Sequence, residues 1–362
     1  MRLYKRTALL LIIATVSLAH SSDRKPRQTE QPALKTRSRD SKHFQVVPRV
    51  EVIATIPRYE VGRYDLGDIA LLDTGDAWAV GYDGEHVRRV YYSRDRGKGW
   101  NAVDVPGNDF TLNALDFSDS QHGWAVGGSG LIIRTTNGGK SWELLRPPTS
   151  SELHAVHFAN SRIGYVAGRE RVGDKITDEL TGTVEIFCTK DGGETWKSCY
   201  KENEPGTVFQ ITNFSEAGAF VVLNGNRLIR TDDQGATWRP VDLSSKHVAS
   251  VALAGNGVHW VVGRNGMFER SDNGGRTWRK VSSLADGKNW WGIAFNTAGT
   301  GVAVGDGGLM AVTLDNGKTW QLPDTGIRDH LRAVRLRGNY AIILGAKKVY
   351  SATISAIASD AR

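Results

Sequence analysis

The sequence predicts an all-β protein: a seven-bladed β-propeller of four-stranded antiparallel blades, closed by an N-terminal strand that completes the last blade. Three observations predict it. A short Asp/Gly/Trp motif occurs six times, with its tryptophans at 100, 142, 196, 238, 278 and 320. An apolar motif, "AWAVG" (77–81) in its first copy, occurs seven times. No amphipathic stretch of helical length interrupts residues 50–352.

The tryptophan spacings are 42, 54, 42, 40 and 42 residues, and repeats of this length belong to propeller blades or helical arrays. The residues choose the propeller. A unit such as "LNALDF" (112–117), "HGWAVG" (122–127), "GLIIRT" (130–135) is built of short β-branched and aromatic runs divided by Gly, Asn and Asp. Four strands in about 42 residues make one blade. The second motif counts seven of them: "AWAVG", "GWAVG", "GYVAG", "AFVVLNG", "HWVVG", "GVAVG" and "YAIILG". The seventh unit ends at "KKVYSATI" (347–354) without an Asp/Gly/Trp turn, so its outermost strand is missing. "FQVVPRVEVIATI" (44–56) has strand character and no blade of its own, and pairing it there removes a bare sheet edge.

Each Asp/Gly/Trp stretch, for example "TKDGGETW" (189–196), reads as a hairpin turn between a blade's third and fourth strands. Ser/Thr and Asp side chains close Asx and Ser/Thr turns, glycine permits positive φ, and the tryptophan packs on the sheet. The set comprises Asp95 and Trp100, Asn137 and Trp142, Asp191 and Trp196, Asp233 and Trp238, Asn273 and Trp278, Asp315 and Trp320. A constellation repeated six times is architectural rather than catalytic. Cys188 and Cys199 flank one of these turns, so two paired strands would bring them face to face. An exported chain favours a bridge over two reduced, buried thiols.

The ends of the chain carry the basic charge. Residues 1–50 hold 11 Lys/Arg against 3 Asp/Glu, whereas residues 51–362 hold 35 against 36. A nucleic-acid binder concentrates basic charge on its folded domain, so that class is set aside. Residues 1–19 read as a signal peptide: Arg2, Lys5 and Arg6, then the apolar run "ALLLIIATVSLA", with cleavage after Ala19. An uncleaved anchor is the other possibility. Residues 20–43 form a disordered basic tether, 44–354 the propeller, and 355–362 a C-terminal tail. The protein is expected in the periplasm or outside the cell, as a monomer.

The pattern S/T-x-D-x-G-x-T/S-W resembles the Asp-box, also called the bacterial neuraminidase repeat. The longer units "GWAVGGSGLIIRTTNGGKSW" (123–142) and "GVAVGDGGLMAVTLDNGKTW" (301–320) resemble more closely the photosystem II stability/assembly factor family. The resemblance covers about residues 50–352 and implies an exported seven-bladed propeller that works by binding. Asn137, Asn273 and Gly99 depart from the consensus, and the last blade has no box.

Catalytic signatures are poorly met. "ATIPRYE" (54–60) lacks the arginine that a sialidase carries before Ile-Pro, and "GGSGL" (127–131) fails the nucleophile elbow at its last position. The glycine clusters lack the Lys-Ser/Thr of a phosphate loop. His154 and His157 stand three apart on a strand and should point to opposite faces, a poor metal pair. No catalytic residue, metal site or cofactor is expected. A binding surface is expected where the inner strands begin, at the channel mouth, with Gly67, Asn113, His154, Gln210, Ala249, Trp291 and Arg332 at one equivalent position. There Trp291 either stands exposed as an anchor or plugs the channel. Arg134, Arg230 and Arg270, each just before a box, would form a basic stripe for an acidic partner or pack their stems between blades. The long connection at 169–182 is a further candidate surface or a passive loop. The expected partner is a protein or peptide, such as a membrane protein under assembly; a glycan is the alternative, in a carbohydrate-binding or glycoside-processing propeller.

Overall fold

The computed structural model describes residues 44–54, 66–82, 88–106, 111–169, 182–206, 208–223, 227–281, 284, 287–346 and 348–358. The expected signal peptide and tether lie outside these residues, as does the long connection except for its two ends. The chain divides into Val46–Ala356 and a smaller unit, Met1–Gln45 with Ile357–Arg362. The fold below is that of Val46–Ala356.

Seven antiparallel sheets follow one another along the chain. In blade 2 the strands are Leu112–Phe117, Gly123–Gly127, Ile132–Thr135 and Glu143–Leu144, running from the axis outward. Blade 6 has three full strands, and a bridge between Val312 and Gln321 marks its fourth. Blade 7 takes its outermost strand, Phe44–Ala54, from the other end of the chain, beside Val349–Ala358. That last strand, Val349–Ala358, runs past residue 354 into the expected tail.

The apolar motif is the second strand of each blade, and it is buried along both faces. A blade packed between two neighbours has no solvent face, so these strands read as continuous apolar runs rather than alternating ones. The core accordingly divides into seven clusters, each spanning one seam between adjacent blades. The cluster joining Ile342 and Leu344 of blade 7 to Ile69 and Ala79 of blade 1 closes the ring.

The boxes sit between third and fourth strands. In blade 4 the Thr231 hydroxyl donates to Asp233 at 2.7 Å and accepts from the Gly235 N–H at 2.9 Å. Asp233 also accepts from the Thr237 N–H at 2.8 Å and its hydroxyl at 2.6 Å. The Thr237 hydroxyl leads the hydrogen bonds that hold the Asp233 carboxyl down at about 2. Where asparagine replaces aspartate, the amide oxygen accepts in the same way and the NH2 donates outward, from Asn137 to Ser141 and from Asn273 to Thr277, both at 2.8 Å. The turn needs an acceptor rather than a charge. Asp233→Asn is therefore expected to leave the unfolding midpoint almost unchanged. Asp233→Ala, which orphans several donors, should cost about 1–2 kcal/mol in chemical denaturation.

Each box also clamps the blade before it. A Cβ on Gly139, where φ is +78°, would fall 2.0 Å from the Trp78 indole of the preceding blade, so the box closes only over glycine. Trp124 of blade 2 donates from its indole N–H to the Gly192 carbonyl in the blade 3 box at 3.0 Å. The Cys188–Cys199 bridge, with Cα atoms 5.9 Å apart, ties the third and outer strands of blade 3. A Cβ on Gly235 in the next box would lie 2.4 Å from the Cys188 sulfur. Loop-forming residues thus act as seam-forming ones.

Candidate functional site

Every inner strand carries a β-bulge at the same place. The register shifts between Leu66 and Asp68, Leu112 and Ala114, Leu153 and Ala155, Val208 and Gln210, Val248 and Ser250, Trp290 and Gly292, and Leu331 and Ala333. The extra residue in each is Gly67, Asn113, His154, Phe209, Ala249, Trp291 or Arg332. A bulge leaves one residue unpaired and re-aims its side chain, and bulges cluster beside functional sites. Seven of them form a ring where the inner strands begin.

This ring corrects two sequence expectations. Gln210 is one residue out of place, and Phe209 holds the equivalent position with 43% of its surface exposed. Gln210 instead joins two blades, donating to the Val251 carbonyl and accepting from the Val251 N–H, each at 3.1 Å. His154 and His157 do not point to opposite faces. The bulge resets the alternation, so half-buried positions recur three apart: Asn113 with Asp116, His154 with His157, Trp291 with Ala294, Arg332 with Arg335. The second position of each pair, with Asp116, His157 and Arg335 among them, lines the channel, and the first lies at its mouth.

A group of charges that the sequence reading passed over lies along this lining. Arg335 of blade 7 donates to Asp68 of blade 1 at 2.8 Å, and Asp68 also accepts from the backbone N–H groups of Ile69 and Leu115. Asp116 of blade 2 accepts from the Phe158 N–H at 2.8 Å and lies 3.0 Å from Nδ1 of His157 in blade 3. Burial pushes the Asp68 carboxyl up, although Arg335 opposes it. Burial also acts on Asp116, but His157 and the Phe158 N–H outweigh it and hold that carboxyl down. These residues tie inner strands that share no ladder hydrogen bonds. Their signal was a charged residue in an apolar strand, as in "LNALDF" and "RAVRLR".

Asn113 donates to the Leu153 carbonyl at 2.8 Å and to Glu152 at 3.1 Å. The His154 side chain is 4% exposed, with Nε2 4.0 Å from Glu152. Both therefore face the seam between blades 2 and 3 more than the opening. Trp291 differs. It is half-buried, and its indole N–H donates to Asp306 at 2.7 Å. Asp306 also accepts from Asn289 at 2.8 Å and lies 2.9 Å from Nδ1 of His330. Burial raises the Asp306 carboxyl, but the hydrogen bonds from Trp291, Asn289 and His330 win and hold it ionised. The indole is locked in one orientation before any ligand arrives. Arg332 lies on the adjoining strand; a Cβ on Gly292 would come within 3.1 Å of the Ala333 backbone, so the two bulges sit side by side.

The three box arginines are engaged within the disc. Arg134 donates to the Gly192 carbonyl, Glu143 and Glu194. Arg230, whose side chain is 4% exposed, donates to the Gly274 carbonyl in the next box and to Asp232, and lies over the Phe214 and Phe220 rings. Arg270 pairs with Asp272 and lies 5.4 Å over the Trp260 ring. Arg134 and Arg230 thus bridge neighbouring blades, whereas the contacts of Arg270 stay within blade 5. Among the described residues, no group of three or more His, Cys, Asp or Glu side chains is arranged to hold a metal ion.

The repeat, the boxes and the closing strand define a seven-bladed Asp-box β-propeller. It resembles the photosystem II stability/assembly factor family. The sequence profile described as "Photosynthesis system II assembly factor YCF48" matches residues 92–179. A photosystem II assembly lipoprotein Ycf48 of Synechococcus sp. (strain CC9902) is 25% identical over 295 residues, covering 77% of this chain and 81% of the relative. A solved structure of YCF48 bound to D1 peptide superposes with a TM-score of 0.63 at 19% identity, covering 85% of this chain and 97% of the other. A virginiamycin B lyase from Staphylococcus aureus gives a TM-score of 0.62 at 14% identity, covering 86% and 99%. At these identities the structural likenesses establish the fold, which hosts binding proteins and enzymes alike.

Proposed function

We propose that the protein is an exported, non-catalytic scaffold that holds a polypeptide partner, such as a membrane protein during its assembly, against the channel mouth. One observation carries the reading: the bulge ring presents Trp291 as an indole pre-set by Asp306, beside Arg332. Rigid aromatic and arginine anchors are the residues that dominate protein interfaces. The relatives named for photosystem II assembly, and the YCF48 structure with a D1 peptide, support a polypeptide partner over a small substrate. Export through residues 1–19 with cleavage after Ala19, a tether over 20–43 and a monomeric state belong to the same proposal.

A glycan-processing role is the second reading, and Asp68 with Asp116 favours it. They are channel acids whose ionisation is pushed in opposite directions, as in an acid–base pair. Against it, each is already tied to backbone N–H groups and to a cationic or imidazole neighbour.

Affinity capture from the native envelope fraction tests the proposal, with residues 20–362 as bait and Trp291→Ala/Arg332→Ala as control. The expected result is one membrane or secreted protein retained by the wild type and lost by the variant. No retained protein, with a glycan-array signal that disappears in the same variant, would put the second reading in its place.

A further inference from the structure

Arg332 stands apart from the other arginines at the inner strands and boxes that are withdrawn from the surface. Arg134, Arg230, Arg270 and Arg335 all donate to carboxylates or carbonyls. Arg332 is half-buried on its bulge and makes no hydrogen bond or ion pair with any described residue. Its guanidinium nitrogens keep contact with water and stand open to an incoming anion, with which a guanidinium forms a charge-assisted, bidentate pair. The nearby Asp306 does not fill that role, because Trp291, Asn289 and His330 already engage its oxygens.

The surroundings add the same sign of charge and an apolar wall. Lys288, three residues before Trp291, is exposed and supplies that charge, while the exposed His330 shares one Asp306 oxygen with the indole. Phe209, two blades from Trp291 on the same ring of bulges, offers a second exposed ring. A second acid, Glu152, lies across the ring in blade 3 and is held by Asn113.

We infer that the mouth binds an acidic peptide segment, with a side-chain or terminal carboxylate received by Arg332 and a neighbouring apolar residue laid on the Trp291 indole. This rests on the mouth being the partner site and names the chemistry that site accepts. The carboxylate forms a bidentate pair with the planar guanidinium, which a lysine would not reproduce. The indole supplies contact area at little entropic cost, because Asp306 has already fixed it.

The test uses the full exported chain and fluorescein-labelled dodecapeptides with amidated ends, identical except for aspartate, asparagine or lysine beside one phenylalanine. Fluorescence anisotropy at low salt reads the affinities. The aspartate peptide should bind about tenfold or more tighter than the asparagine peptide, the usual worth of a charge-assisted pair. Arg332→Gln should erase that ratio, and Arg332→Lys should retain part of it. Trp291→Ala should weaken the aspartate and asparagine peptides alike, with the ratio kept. A wild-type ratio near one, or a ratio that survives Arg332→Gln, overturns the inference. If envelope capture still depends on Trp291 in that case, the mouth remains the partner site and only its acidic preference falls. If neither capture nor any peptide responds to Trp291→Ala, the inference falls together with the reading beneath it.

Discussion

Replacing Trp124 with alanine is expected to lower the free energy of unfolding by roughly 3–5 kcal/mol, among the largest losses from any single side chain here. Trp124 is fully buried in the second strand of blade 2. It stacks on Phe158 of blade 3 with ring centroids 3.5 Å apart and planes 4° from parallel. Its N–H reaches the Gly192 carbonyl, so truncation removes a ring contact, opens a cavity and leaves that box carbonyl with Arg134 as its one side-chain donor. The effect reaches beyond one blade, since the seam between blades 2 and 3 is one of seven that hold the ring. Guanidinium denaturation followed by circular dichroism measures the loss. A value below about 1 kcal/mol would mean that the seams are not where the stability resides. Trp291→Ala is the internal contrast: its indole is half-exposed at the mouth, and its loss should cost far less.

Acidification supplies the second large effect, through His259. In the other blades the first residue of this strand motif is small or, in blade 7, Tyr340; in blade 5 it is a histidine 3% exposed. It packs among Phe214, Phe220 and Trp278. Burial, and then the Arg230 charge, push its pKa down to about 4 from 6.5. The unfolded chain therefore takes up a proton below pH 6.5 that the folded chain refuses until about pH 4. Stability on this account is unaffected above pH 6.5, falls through that window, and has lost on the order of 2–3 kcal/mol at its lower end. The check is His259→Leu measured at pH 7.5 and at pH 4.5. Whatever the substitution costs at the higher pH, the variant should gain on the wild type at the lower one. Equal differences at both would contradict the assignment.

The fold was legible because its determinants repeat. Seven apolar second strands and six box tryptophans state blade number and length, and the unpaired run at 44–56 states how the ring closes. The box substitutions were legible only as departures. That asparagine keeps the turn follows from the amide oxygen accepting where a carboxylate oxygen would. The site was harder to read because one bulge per inner strand adds a residue that alternation does not register. That single insertion moves Phe209 into the place assigned to Gln210 and brings His154 and His157 to the same side. The seam between Asp68, Arg335, Asp116 and His157 was invisible for a related reason. It joins blades 7, 1, 2 and 3, and a unit-by-unit reading compares positions within blades, not across them. Arg134, Arg230 and Arg270 share a place before their boxes, but the first two bond into a neighbouring box and the third to Asp272 of its own blade, which no spacing reveals.

The most direct test of the central claim asks which face of the disc meets the partner. A photo-crosslinking p-benzoylphenylalanine is placed at Phe209 on the bulge ring, or at Lys318 in the blade 6 box on the opposite face, and cells are irradiated. The account predicts a discrete cross-linked protein from Phe209 that is lost when Trp291→Ala is added, and none from Lys318. An adduct from Lys318 alone would place the partner on the box face and contradict it.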